Sequence, residues 1–310
     1  MATMNIKSMI IILILISALI ILYVWPITTS SFSELYKKND SAALGLKSLQ
    51  NHPLKSLIIE GVKWNYYSNG SGEKCILFIH GMGGTYDLWW NQLLNFESNY
   101  KVISYTLPKE INSLEKVDRG ISAILAKENV KTYIAVGTSM GGYIAQYLMV
   151  KHPENVEKVV MGNTFPPNQI IKNDNKIKQW FLPFLPKIVV AKFFQDKLKS
   201  DIEKYSEKNK LLQAFLLSIP FEKQSFTGRY AIVIEHFAIN SKDPVIKNIP
   251  KMIFESDNDP MISPQLRLDL KKLYPEAVIY TFNNKGHFPY VNDVSKYNEQ
   301  LKIFIEDHIK

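Results

Sequence analysis

With 310 residues, 46% of them hydrophobic and 21% charged, the chain is long enough for one large domain or two average ones with a full core. Its formal net charge of +8 is carried almost wholly by lysines spread along the sequence, Arg119, Arg229 and Arg267 being the only arginines. That pattern describes a solvated surface and argues against nucleic acid as a partner, because phosphate and base recognition favour arginine. Cys75 stands alone, which excludes an internal disulfide and a thiolate metal site.

Met9 to Trp25 is an unbroken run of 17 residues without charge, with Ser17 and Tyr23 its only polar groups. As a helix it would be about 25 Å long, near the lower limit for crossing a bilayer. A cleaved signal peptide competes with that reading, but no A-x-A-like site follows and Thr28-x-Ser30 is a poor substitute. Tyr23 and Trp25 suit an interfacial aromatic anchor. Residues 1–27 are therefore expected to be an uncleaved single-pass anchor, with the remainder on the non-cytoplasmic side; secretion after cleavage is the alternative. Residues 28–55 read as a linker, stalk or leading helix.

The main domain is expected over residues 56–310. Leu57-Ile58-Ile59 and Val62 to Tyr67 read as a first pair of strands, and Asn69-Gly70-Ser71-Gly72 as a turn. Cys75 to Ile79 is a central strand with Cys75 a buried thiol. Tyr86 to Phe96 reads as a helix, Val102 to Tyr105 as a strand, Ile111 to Lys127 as a helix and Val156 to Met161 as a strand. From Phe165 to about Val245 the alternation pauses, and Pro166, Pro167, Pro183, Pro186 and Pro220 punctuate helical stretches rich in Phe and Leu. This is an inserted helical cap, at about 165–246. Strands resume at Met252 to Phe254 and Val278 to Tyr280, separated by a helix over Pro264 to Leu273, and the tail from Val291 is an amphipathic helix. Such alternation implies α/β architecture, a mostly parallel sheet with helices on both faces.

The centre of this pattern is Thr132 to Gln146, an apolar β-branched strand that passes through Gly137-Thr138-Ser139-Met140-Gly141 into a helix. G-x-S-x-G between a strand and a helix is the pattern of a nucleophile elbow, in which a strained turn pushes the serine hydroxyl clear of the backbone. A side chain at 137 or 141 would collide with the neighbouring strand and helix, so glycine is needed at both places. A serine hydroxyl needs a base to take its proton and a third group to orient that base. The expected chain order is serine, acid, histidine. Of the six histidines, His52, His152, His236 and His308 lie in the stalk, at a helix end, in the cap and near the terminus, and His80 precedes the elbow. His287, in Gly286-His287-Phe288-Pro289 just past the last strand, remains as general base. Asp257 and Asp259 both qualify as the acid. His80-Gly81-Met82-Gly83-Gly84 follows a strand directly; His80 shapes this loop, and the Met82 and Met140 backbone N–H groups are the candidate oxyanion donors.

Taken together, the alternation, H-G-x-G-G, G-T-S-M-G-G and D-P…G-H-F-P resemble the α/β-hydrolase superfamily over about residues 55–310. In that superfamily the acid sits immediately before a proline or apolar residue, which favours Asp259. Val159 to Phe165, Phe184 to Val190, Leu273 to Ala277 and His287 to Tyr290 are further similar to the maspardins. Maspardins lack a histidine at the position of His287 and are regarded as binding proteins, whereas this chain keeps one. The resemblance implies a serine hydrolase of the carboxylesterase or lipase type, acting on an ester or thioester through an acyl-enzyme, with no cofactor. A serine at the elbow argues against haloalkane dehalogenase or epoxide hydrolase chemistry, and a lipid-like substrate would suit an anchored enzyme. A maspardin-like adaptor and a C–C bond hydrolase are the alternatives.

Overall fold

The computed structural model describes residues 6–205 and 209–307. An eight-stranded sheet is built from β1 (Lys55–Ile59), β2 (Val62–Asn69), β3 (Cys75–Ile79), β4 (Lys101–Thr106), β5 (Tyr133–Thr138), β6 (Val156–Gly162), β7 (Lys251–Ser256) and β8 (Val278–Phe282). In space the order is β1-β2-β4-β3-β5-β6-β7-β8. β2 pairs antiparallel with β1 and β4, and the remaining pairings are parallel.

Before the sheet come α1 (Ile6–Val24), α2 (Phe32–Leu35) and α3 (Ser41–Gln50). Between its strands lie α4 (Trp90–Phe96), α5 (Leu114–Lys127) and α6 (Met140–Lys151). The cap between β6 and β7 holds α7 (Gln169–Phe181), α8 (Lys187–Tyr205), α9 (Lys210–Ser218), α10 (Lys223–Ile234) and α11 (Pro244–Asn248). Then follow α12 (Pro264–Leu273), α13 (Pro289–Asn292) and α14 (Val294–Glu306).

Burial explains why the central strands read as continuous apolar runs. β3 and β5 are buried along their whole lengths, as strands covered on both faces must be. Cys75, Leu77 and Ile79 join the cluster with Ile121 of α5 and Ile144 of α6. Ile76 and Phe78 point the other way, into the cluster with Leu93 of α4 and Leu301 of α14. Part of the leading segment belongs to this second cluster: Ala43, Leu46 and Leu49 of α3 are wholly buried there. α5 starts at Leu114 and not at Ile111, because the Ser113 hydroxyl accepts from the Lys116 N–H and caps the helix.

The N-terminal expectation is corrected. Among the described residues no helix is long and apolar enough to cross a membrane. The end of the N-terminal segment is engaged by protein. The Tyr23 hydroxyl, read from sequence as an interfacial anchor, donates to the carbonyl of Phe184 in the cap. Ile27 packs against Val190, Ala191 and Phe221. The single-pass anchor over residues 1–27, the membrane as partner and the placement on a non-cytoplasmic side all fall with this finding.

Candidate active site

One residue separates β5 from α6. Ser139 occupies it with φ 55° and ψ −123°, a backbone rarely adopted outside glycine. Its surroundings enforce that strain. The Ser139 N–H donates to the Gly162 carbonyl at 2.9 Å, and the Thr164 hydroxyl donates to the Ser139 carbonyl at 2.6 Å. A Cβ on Gly137 would lie 2.1 Å from the Gly141 carbonyl oxygen, and one on Gly141 would lie 2.1 Å from that of Ile79. Both glycines are therefore fixed by close backbone approach. Met140 opens α6, so its N–H belongs to the turn whose donors have no acceptor within the helix.

Beyond β7 and β8 the chain brings Asp259 and His287 together. His287 Nδ1 lies 3.0 Å and 2.9 Å from the two Asp259 carboxylate oxygens, with side chains only 5% and 0% exposed. Asp259 Oδ1 also accepts the Met261 and Ile262 N–H groups at 2.8 Å and 3.1 Å, and Oδ2 accepts Asn163 Nδ2–H at 2.8 Å. Burial pushes the Asp259 carboxyl pKa up, but the facing His287 ring and these donors outweigh it and hold the group below its ordinary value. Asp257, the other acid of suitable order, instead accepts the Asn284 N–H at 2.8 Å in an exposed turn.

Sequence reasoning missed the connector between these parts. Asn163 follows β6, takes φ 41°, donates to Asp259 and to the Gly286 carbonyl at 3.3 Å, and is anchored by its N–H on Phe254 O at 2.7 Å. Its neighbours Gly162 and Thr164 hold the Ser139 backbone. Three consecutive residues thus tie the elbow to the Asp259–His287 pair. The available signal was an asparagine, a residue that tolerates positive φ, at the end of a central strand.

Gly81 stands against the elbow, since a Cβ there would lie 3.2 Å from that of Ser139. His80 is buried, with Nδ1–H donating to Gly81 O at 2.7 Å and Nε2 accepting the Leu107 N–H at 3.1 Å. Burial first, and the nearby Arg229 charge second, lower its pKa to about 3. With both nitrogens engaged and the ring neutral, His80 shapes the loop, as the sequence implied. Arg229 of α10 also escaped the sequence reading. It is buried, and its guanidinium donates to Met82 O at 2.6 Å, Gly84 O at 3.1 Å and Leu107 O at 3.2 Å.

Between this loop and the cap lies a cavity of about 330 Å³, with Met82, Gly83, Phe194, Leu198, Phe221 and Phe226 in its wall. Among the described residues, no group of three or more His, Cys, Asp or Glu side chains is arranged to hold a metal ion.

An elbow serine, a buried acid–histidine pair and a glycine-rich loop on the carboxyl ends of parallel strands define a hydrolase-type scaffold. Residues 74–294 match the family described as alpha/beta hydrolase fold, and the chain belongs to that family. It is maspardin-like: human maspardin is 24% identical over 269 residues, covering 82% of this chain and 83% of that protein. Lipase 1 of Psychrobacter immobilis is 26% identical over 286 residues, covering 81% and 83%. The crystal structure of a hydrolase from Pseudomonas aeruginosa superposes with a TM-score of 0.70 at 15% identity, over 83% of this chain and 100% of that one.

Proposed function

We propose that the chain is a serine hydrolase cleaving a carboxylic ester or thioester with an apolar acyl group. Ser139 attacks the carbonyl carbon while His287 Nε2 takes the hydroxyl proton and returns it to the leaving group. Asp259 holds the Nδ1 proton and balances the imidazolium. The Met82 and Met140 N–H groups receive the oxyanion. Water then attacks the acyl-enzyme by the same steps in reverse.

The observation that carries this reading is the buried pair in which His287 turns Nδ1 onto Asp259. That orientation leaves Nε2 as the working nitrogen of the ring. Family membership and the similarity to Lipase 1 support hydrolysis, and the mostly apolar cavity beside the Met82–Gly83 loop is suited to an acyl chain. The similarity to maspardin supports a binding role on the same scaffold; a retained acid–histidine pair weighs against it.

The test is hydrolysis of p-nitrophenyl esters from acetate to palmitate by the full chain. Ser139→Ala and His287→Ala are each expected to lower kcat/KM by about 10³-fold or more. An unchanged rate in Ser139→Ala would remove the proposed nucleophile. A folded wild type inert on every ester would favour the binding role.

A further inference from the structure

The loop carrying the proposed oxyanion donor is fixed from two directions. From within, the Gly81 carbonyl accepts His80 Nδ1–H at 2.7 Å and the Gly84 N–H at 3.0 Å. In a trans peptide the C=O and the following N–H point in opposite directions, so pinning the Gly81 carbonyl also aims the Met82 N–H. From outside, the next carbonyl, that of Met82, and the carbonyl of Gly84 are both held by Arg229 Nη1. Arg229 Nη2 reaches Leu107 O, in the same loop whose N–H fixes His80. One guanidinium thereby clamps three points around a single donor.

That guanidinium comes from the cap. α10 can lie close enough because residue 228 is glycine; a Cβ there would sit 2.6 Å from the Ile111 carbonyl oxygen. Just past its C-terminal end, Glu235 Oε2 accepts the Leu114 N–H at 2.7 Å and the Glu235 carbonyl accepts the Tyr143 hydroxyl at 2.6 Å. α10 is thus seated on the main domain at its middle and at its C-terminal end. The three acceptors of Arg229 are main-chain carbonyls and not carboxylates, so its positive charge is solvated by dipoles without being cancelled. It lies buried against the loop that carries the proposed donor, in surroundings that screen weakly.

We propose that Arg229 is a positioning residue that makes the Met82 oxyanion donor depend on the seating of cap helix α10. When α10 is in place, the guanidinium fixes the loop and adds positive potential to it. When α10 lifts, the carbonyls of Met82, Gly84 and Leu107 lose their common donor and the Met82 N–H loses its aim. The cap then does more than wall the cavity: it completes the machinery beneath it. Arg229 also lines that cavity together with Met82 and Gly83, so an occupant touches the clamp and the clamped loop at once. This inference rests on the serine-hydrolase reading.

The experiment measures the second-order rate of fluorophosphonate labelling of the full chain, alongside kcat and KM for p-nitrophenyl butyrate. In labelling, the Ser139–phosphorus bond forms, fluoride leaves with the P–F electron pair, and the serine proton passes to His287. Wild type, Ser139→Ala, Arg229→Met and Arg229→Lys are compared. Arg229→Met is expected to slow labelling and lower kcat by about 10- to 100-fold, with KM within about threefold of wild type. Arg229→Lys keeps the charge but loses the planar fork that bridges several acceptors, and is expected to fall between the two. A folded Arg229→Met that labels at the wild-type rate, or that raises KM with kcat unchanged, overturns the proposal. If Arg229→Met does not fold, a wild-type rate in Arg229→Lys overturns it. Wild type that takes no label overturns the serine-hydrolase reading, and this inference with it, which separates the two failures.

Discussion

Two aspartate–histidine pairs occupy opposite ends of the same molecule. α6 begins beside the elbow serine and ends, twelve residues or about 18 Å later, next to His152. There His152 Nε2 lies 2.6 Å from Asp118 Oδ1, and the Ser122 hydroxyl donates to the same oxygen at 3.2 Å. An aspartate–histidine contact is thus made twice, and in the lower group a serine joins it directly. In the lower group the acid stands in the middle and takes up Nε2, so the histidine has no route to the serine proton. In the upper group the acid holds Nδ1 and four donors hold the acid. The order of the hydrogen bonds, not the set of residues, separates the proposed acid–base device from a tether.

The sharpest way to break that comparison is to remove the same charge from each group. Asp259→Asn is expected to lower kcat for ester hydrolysis by about 10³- to 10⁴-fold, because an amide in place of the carboxylate favours the wrong imidazole tautomer. Asp118→Asn should leave kcat at the wild-type value. Steady-state kinetics on one ester decides it, and equal losses in the two variants would erase the distinction.

The elements around these groups were legible to different degrees, for physical reasons. Cys75–Ile79 and Pro264–Leu273 have the bounds the sequence implied, because a strand covered on both faces is a continuous apolar run and because Ser263 with Pro264 marks a helix start. The elbow was legible because backbone crowding at Gly137 and Gly141 leaves a signature in residue type. Arg229 was not, since the carbonyls it holds lie more than 120 residues away in sequence and carry no side-chain signal. The N-terminal run misled for a related reason. Its composition is that of a membrane span, and the contact of Tyr23 with Phe184, 161 residues further on, is invisible locally.

The lower pair should show itself in stability where it is silent in catalysis. Asp118 is nearly buried and His152 partly exposed, with side chains 9% and 29% accessible. A charge-assisted bond in that setting contributes about 1 kcal/mol. Asp118→Asn is therefore expected to lower Tm by about 2–4 °C for a chain of this size, read by circular dichroism at neutral pH. A shift near zero would show the tether to be ornamental.

A third carboxylate, paired with lysines and not with histidine, sharpens the contrast further. Glu128 accepts from Lys55, Lys101 and Tyr66 at 2.9 Å each and from Ser68 at 2.8 Å, tying the end of α5 to β1, β2 and β4. Burial raises its pKa, but these four donors outweigh it and bring the value from an ordinary 4.5 down to about 2. A carboxylate with a depressed folded pKa stabilises fully above its unfolded value and loses that contribution as pH falls through the folded one. The acid-side decline in Tm between about pH 4.5 and pH 2 should therefore be shallower in Glu128→Gln than in wild type, on top of a lower Tm at neutral pH. The ester-hydrolysis rate at pH 7 should not move, because the cluster sits where β4 begins, whereas Ser139 follows the far end of β5 in the same parallel array. A slope equal to that of wild type would assign the acid response to other carboxylates, Asp259 foremost.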